Sequence, residues 1–211
     1  MFKRAILWVA VAGWVLALEA SAGAALITVP DASFEAHVLA EGGYVDIADA
    51  GYTGAWECHS VDSWVDYGYW RANGYPADLY AHSGNNKAYA YEDSIYQILG
   101  ETFVEGLTYT LSVWVGQPWA GYASGWSLYF TGEDHTNNLI ATSGQAPLNW
   151  QQVSLAYTAT AADAGKKIGI KMWSNDEVSF DDVTLDAVPE PATMALLGLG
   201  GLSLVLGRKR K

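Results

Sequence analysis

All 13 tyrosines, and every one of the ten tryptophans except Trp8 and Trp14, lie between residues 26 and 187 of this 211-residue chain. One aromatic cluster, Trp56, Trp64, Tyr67, Tyr69, Trp70 and Tyr75, falls in an irregular early stretch. A second, Trp119, Tyr122 and Trp126, falls in "QPWAGYASGW". Flat rings stack on the apolar C–H faces of sugars while carboxylates and amides bond the hydroxyls. Trp56, Trp64, Tyr67, Trp70, Trp119 and Tyr122 are therefore candidate ligand-binding residues for a polysaccharide. Aromatic residues also fill sandwich cores, and Trp126 sits in phase with Leu128 and Phe130. A fully exposed set with no partner would be an aggregation hazard, so burial or a partner is required.

Motifs for catalysis are absent. There is no G-x-S-x-G, H-E-x-x-H, Gly-rich phosphate loop or C-x-x-C. His37, His59, His82 and His135 are scattered, and Cys58 and His59, being adjacent, face opposite ways in an extended strand, a poor nucleophile–base pair. Two carboxylates suffice for a glycosidase, but nothing singles out a pair. The expectation is a protein that binds or builds rather than catalyses, with no catalytic residue; a secreted glycoside-active enzyme is the competing class. Cys58 is the one cysteine, so it reads as a small buried apolar residue or an intermolecular thiol.

The elements that position these residues follow from period-2 patterning. In "LTYTLSVWVG", Leu107, Tyr109, Leu111, Val113 and Val115 share an oily face opposite Thr108, Thr110, Ser112 and Trp114. "WSLYF", "QVSLAYTA" and "KIGIKMW" repeat the pattern and turn Tyr129 and Trp173 outward, while "SIYQIL" and "VSFDDVTL" are further strands. Gly84-Asn85-Asn86, Glu105-Gly106, Gly132-Glu133-Asp134 and Asp163-Ala164-Gly165 punctuate them. Short one-faced strands without a helical period predict an all-β, antiparallel β-sandwich.

The order of "VPDASFE", "GLTYTLSVWVG", "LNWQQVSLAYTATAADAGKKIGIKM" and "VSFDDVTL" resembles the galactose-binding-like jelly rolls of extracellular carbohydrate-binding modules. That resemblance implies a polysaccharide-binding role and a structural Ca²⁺. Carried onto this chain, the ion's ligands are Glu35 with Asp181 or Asp182, and Asp31 stands where the pattern has Asn. A hard cation held by such oxygens would pin the two terminal strands together.

Both ends read as address labels. Residues 1–25 combine Lys3 and Arg4, an apolar run and small residues, as a signal peptide with cleavage between Ala22 and Leu26. Residues 26–187 are the sandwich domain. Of 11 Lys and Arg six lie in the ends, and of 23 Asp and Glu only Glu19 and Glu190 do, which leaves the domain five cations against 21 carboxylates, a net −16. Such a surface repels phosphate backbones and excludes nucleic acid as a partner. Residues 188–211 hold Pro189, Glu190 and Pro191, then a short apolar run predicted to be a helix, then a basic end. From Ala192 to Leu206, at ~1.5 Å per residue, that helix spans about 22 Å, short of a ~30 Å hydrocarbon core. This tripartite tail resembles the PEP-CTERM sorting signal of Gram-negative bacteria. The resemblance implies signal peptidase and exosortase as processing partners, a transient inner-membrane stage, and delivery to the cell surface or extracellular matrix. The composite expectation is an exported, non-catalytic polysaccharide-binding module, with a structural biofilm protein as the other possibility.

Overall fold

Alternating oily and polar residues leave each strand one face to bury, and two such sheets satisfy each other. The computed structural model describes residues 24–49, 52, 54–59, 67–70, 79–118 and 124–189, with backbone alone over 67–70 and at 189. Its strands are β1 (Ala25–Ile27), β2 (Tyr44–Asp46), β3 (Glu57–Cys58), β4 (Tyr67–Trp70), β5 (Lys87–Ala90), β6 (Ser94–Thr102), β7 (Leu107–Gly116), β8 (Gly125–Thr131), β9 (Asn138–Gln145), β10 (Gln151–Thr158), β11 (Lys167–Ser174) and β12 (Val178–Pro189). One sheet has seven strands in the order β10-β7-β12-β5-β4-β2, with β1 also paired to β12; the other runs β3-β6-β11-β8-β9. The protein is an all-β antiparallel sandwich, and Leu26–Ala187 forms one compact unit. Every regular element among the described residues is a strand, and none of these residues forms a helix long and apolar enough to cross a membrane. The expected sorting helix and residues 1–23 of the expected signal peptide lie outside the described residues, while Ala25, its last residue, opens β1.

The predicted oily faces are the core. Tyr109, Leu111, Val113 and Val115 of β7 are buried, as are Trp126, Leu128 and Phe130 of β8 and Ile168, Ile170 and Met172 of β11. Phe103 meets Tyr109 edge-on at 5.1 Å, and the Tyr109 hydroxyl accepts the Val104 N–H at 2.8 Å, so the ring's polar tip is satisfied. The strand β9 carries no sequence signal because it pairs only with β8 and none of its residues is fully buried. Strands β2, β3, β4 and β5 are too short for periodicity to register.

The last strand breaks its own rhythm. Phe180 and Val183 are both buried in the core, yet two residues separate them instead of one. Asp182 takes the surplus residue with φ of 45°. This is the geometry of a β-bulge, in which one residue in the left-handed region resets the phase of a strand. Phe180 and Val178 stay inward before it, Val183, Leu185 and Ala187 after it, and both aspartates are carried to the other side.

Truncating Phe180 to Ala should cost about 3–5 kcal/mol of unfolding free energy in a urea titration. Leu148→Ala, at a site 60% exposed, should stay within about 0.5 kcal/mol of the wild type. Equal effects at the two sites would contradict this assignment of the core.

Candidate functional site

The outer face of the seven-stranded sheet is built from the residues that the core rejects. On β7 and β10 it is a floor of small side chains in register: Thr108 opposite Thr158, Thr110 opposite Ala156, Ser112 opposite Ser154, and Trp114 opposite Gln152. The hydroxyls of Thr108 and Thr158, and of Ser112 and Ser154, pair at 2.8 Å. The large ring of Trp114 ends this floor.

The segment 79–86 crosses beside Trp114 and is gripped along its length. The Leu79 N–H donates to the Pro118 carbonyl, and the Leu79 carbonyl accepts the ammonium of fully buried Lys87 at 2.6 Å. Trp150 Nε1 donates to the Tyr80 carbonyl at 2.7 Å. Asp181 Oδ2 accepts the N–H groups of His82 and Ser83, and Asp182 Oδ1 accepts the Ser83 hydroxyl. At the far end Glu35 Oε1 accepts the N–H groups of Asn85 and Asn86 at 2.6 and 2.7 Å. Gly84 has φ of +64°, and a Cβ there would lie 2.4 Å from Glu35 Oε1, so this close approach requires glycine.

At the centre His82 Nδ1 lies 2.6 Å from Asp182 Oδ2. The imidazole stacks on Trp114 with centroids 3.7 Å apart and planes 17° apart, and meets Trp150 edge-on. A carboxylate on Nδ1 fixes the Nδ1–H tautomer and leaves the Nε2 lone pair for an external partner. His82 and Asp182 are both partly exposed. Asp181, fully buried behind them, is different: burial pushes its carboxyl from 3.8 up to about 7. The Asp182 charge adds to the rise, while the N–H donors of Ser83, Asp182 and His82 hold it down. The result is an oriented imidazole over an aromatic ring, backed by a carboxyl that changes charge near neutrality, the equipment of general acid–base chemistry.

Sequence reasoning found part of this. Glu35 and the aspartates Asp181 and Asp182, expected as ligands of one ion, instead grip different ends of this segment, Glu35 at Asn85 and Asn86 and the aspartates at His82 and Ser83, and Trp114 points outward as expected. His82 was missed: its partner is 100 residues away, and only the turn signal at 84–86 marked its neighbourhood. Trp56, expected at a ligand surface, is 1% exposed; it packs on Phe34 at 5.2 Å and its Nε1 donates to the Asp31 carbonyl. It is a core residue. Tyr67 and Trp70 lie on β4, in register with Ala90 and Lys87. Trp64, Trp119, Tyr122 and the sorting residue Glu190 with Pro191 lie outside the described residues, and Pro189 closes β12.

The chain matches the HpiC1-like family, described as HpiC1 cyclase, over residues 25–186, and the PEP-CTERM protein-sorting motif over 187–211. Comparison with curated proteins returned no match. Among solved structures it is similar to the Stig cyclase Fisc from Fischerella sp. TAU in complex with (3Z)-3-(1-methyl-2-pyrrolidinylidene)-3H-indole. That pair is 20% identical over 79% of this chain and 99% of that one, with a TM-score of 0.63. An apo cyclase from Fischerella sp. is 22% identical over 80% and 98%, TM-score 0.64. A cyclase from Fischerella sp. TAU in complex with 4-(1H-indol-3-yl)butan-2-one is 21% identical over 78% and 98%, TM-score 0.64. At such identities the structural likeness is one of fold.

These matches correct the sequence reading. The domain belongs with a cyclase family, not with carbohydrate-binding jelly rolls, and the expectations of a non-catalytic polysaccharide-binding module, of a polysaccharide partner and of no enzyme are overturned with it. The physical reason is that the motifs behind the resemblance, oily alternation and a final F-D-D-V strand, describe a sandwich scaffold, and scaffolds host many functions. The tail needs no correction. Its motif marks export to the cell surface or extracellular space through an exosortase system of the kind found in Gram-negative bacteria, with processing enzymes as partners.

A carboxyl raised in the folded state binds more protons there than in the unfolded chain between pH 3.8 and about 7. Stability from Asp181 is therefore full below its unfolded value and is lost as pH rises through its folded one. Relative to Asp181→Asn, the wild type should lose roughly 4 kcal/mol of unfolding free energy between pH 4 and 8. Denaturant titrations across that range check it, and parallel pH profiles for the two proteins would rule it out.

Proposed function

This chain belongs to the HpiC1-like family, and on that premise we propose that its exported domain is a cyclase that closes a ring on a planar, indole-type substrate by proton transfer. The observation that carries the reading is the Asp182–His82 pair seated on Trp114 beside a buried carboxyl titrating near neutrality. Two of the similar Fischerella structures hold indole-bearing ligands, which supports a flat aromatic substrate. The Ser112–Ser154 and Thr110–Ala156 floor suits such a ring, because its side chains are small and its hydroxyl pairs are already satisfied.

Ring closure leaves the composition of the substrate unchanged, so a proton lent must be returned. Protonated His82 gives its Nε2 proton to an unsaturated carbon of the substrate. The π electrons of a second unsaturated group close onto the cation and form the new C–C bond. The adjacent carbon then returns a proton to Nε2. Asp182 holds Nδ1–H throughout and balances the imidazolium charge, and the Trp114 face below adds cation–π attraction. Asp181 acts through these two groups as a positioning residue, since its carboxyl lies beneath His82 and Ser83.

We propose separately that a structural Ca²⁺ belongs to the Glu35 corner of the same segment. The donors there are oxygens, as that ion requires, and the buried Oδ1 of Asn86 has no hydrogen-bond partner. Among the described residues no three His, Cys, Asp or Glu side chains converge as a cage, so backbone and amide oxygens would complete the shell. Bound there, the ion would tie the segment after β1 to residues 85–86; it enters no step of the reaction.

Two experiments test these readings. The protein should bind 4-(1H-indol-3-yl)butan-2-one with a change in tryptophan fluorescence, and should convert an alkenyl indole to a product of unchanged mass. His82→Ala should lower turnover about 10²–10⁴-fold. Wild-type turnover in His82→Ala would remove His82 from the mechanism, and no binding and no turnover in the wild type would end the cyclase reading. For the ion, thermal melts in millimolar Ca²⁺ should exceed those in chelator, and superimposable melts would discard it.

A further inference from the structure

The opposite sheet has its own outer face, and it carries a second polar cluster unrelated to the site above. A straight row crosses it: Glu57 of β3 opposite Tyr96 of β6, Tyr96 opposite Lys171 of β11, and Lys171 opposite Tyr129 of β8. The Tyr96 hydroxyl donates to Glu57 at 3.0 Å, and the Lys171 ammonium sits 4.5 Å from the centre of the Tyr129 ring. The loop between β8 and β9 folds back over this row. There the His135 ring stacks on Tyr96 with centroids 4.1 Å apart and planes 17° apart, and its carbonyl accepts Lys171 Nζ at 3.0 Å.

His59, just past β3, completes the arrangement. Its N–H donates to the Ser94 carbonyl, and its Nδ1 lies 2.9 Å from His135 Nε2. The rings are steeply inclined, at 64°. Two histidines from segments 76 residues apart thus present ring nitrogens to each other at an exposed surface. A single neutral hydrogen bond at such a place contributes only about 0.5–1.5 kcal/mol, little reason to hold two imidazoles so firmly.

We propose that His59 and His135 form a binding site for a tetragonal, imidazole-preferring divalent cation of the Cu²⁺ type, through His59 Nδ1 and His135 Nε2. Two cis nitrogens each about 2.0 Å from a square-planar ion lie roughly 2.8 Å apart, so the rings need to turn toward the ion but not to separate. In the unliganded pair one of the two facing nitrogens carries the shared proton. On binding, that proton moves to the far nitrogen of its own ring, and both lone pairs become free with no net change in charge. His135 is held for this by Tyr96 and Lys171, and His59 by Ser94. Carboxylates outnumber cations around the pair: Glu57 and Asp134 bear on Tyr96, and Asp93 and Asp134 bear on Lys171. Among the described residues no third His, Cys, Asp or Glu joins the two, so water fills the remaining positions and the ion is exchangeable. Cys58, between Glu57 and His59, packs against the core side.

The full chain, without a polyhistidine tag and saturated with Ca²⁺, is titrated with Cu²⁺ and read by electron paramagnetic resonance and by calorimetry. One equivalent should bind with the hyperfine pattern of two equatorial nitrogens. His59→Ala and His135→Ala should each leave one nitrogen at most and weaken binding at least about tenfold. His59→Gln and His135→Gln, which keep hydrogen-bonding side chains, should melt as the wild type does and lose the ion equally. An oxygen-only spectrum, or two-nitrogen binding that survives His59→Gln or His135→Gln, would overturn the proposal. None of these outcomes depends on cyclase activity.

Discussion

Everything at the proposed catalytic site depends on one surplus residue in the last strand. A strand with one buried face alternates strictly, so a residue between Phe180 and Val183 would ordinarily present a single side chain outward. Because Asp182 adopts a left-handed backbone, two carboxylates leave the core side together. The residue type matters: Asp tolerates positive φ better than a β-branched or bulky residue does. Without the bulge, either Val183, Leu185 and Ala187 would face away from the core or the aspartates would enter it. Sandwich stability and site chemistry are therefore fixed by the same dihedral angle.

Two carboxylates side by side are costly, and the structure divides the problem between them. Asp182, partly exposed, faces His82 and Ser83. Asp181 is buried under backbone N–H donors, where desolvation outweighs those donors and lifts its titration toward neutrality. Its protonated form spares the fold a buried negative charge. The segment that supplies the donors is held at its other end by Glu35, so residues from the beginning, middle and end of the domain fix one histidine. That degree of constraint is what a catalytic imidazole needs, since its ring orientation sets where Nε2 points.

The two outer faces of the sandwich serve as separate surfaces on a shared core. On one, small hydroxyl side chains lie beside stacked Trp114 and His82. On the other, a row of long side chains is partly roofed by the β8–β9 loop. The core between them is continuous, so both surfaces rest on rigid strands while their histidines come from loops. The sorting tail places this domain outside the inner membrane.

The sequence by itself determined the class of fold and the destination of the chain. Period-2 alternation is a local property, so the core faces of β7, β8, β10 and β11 were readable from single stretches, and a sorting tail is recognised as linear text. Weakly patterned β9 and the short strands β2 to β5 were not readable, because pairing rather than periodicity makes them strands. Aromatic residues give a mixed answer: the phase of Trp114 turns it outward, as the structure has it, whereas Trp56, in an irregular stretch with no phase to read, is a ligand-binding candidate by sequence and a core residue in the fold. Glu35, Asp181 and Asp182 stood out only through motif order, as ligands of one ion, and that order led to the wrong function, because it encodes the scaffold. What the tertiary structure alone decided is which histidine meets which partner. His82 reaches Asp182 and His59 reaches His135 across 100 and 76 residues, and such contacts are set by strand order and loop closure, which no short stretch of sequence carries.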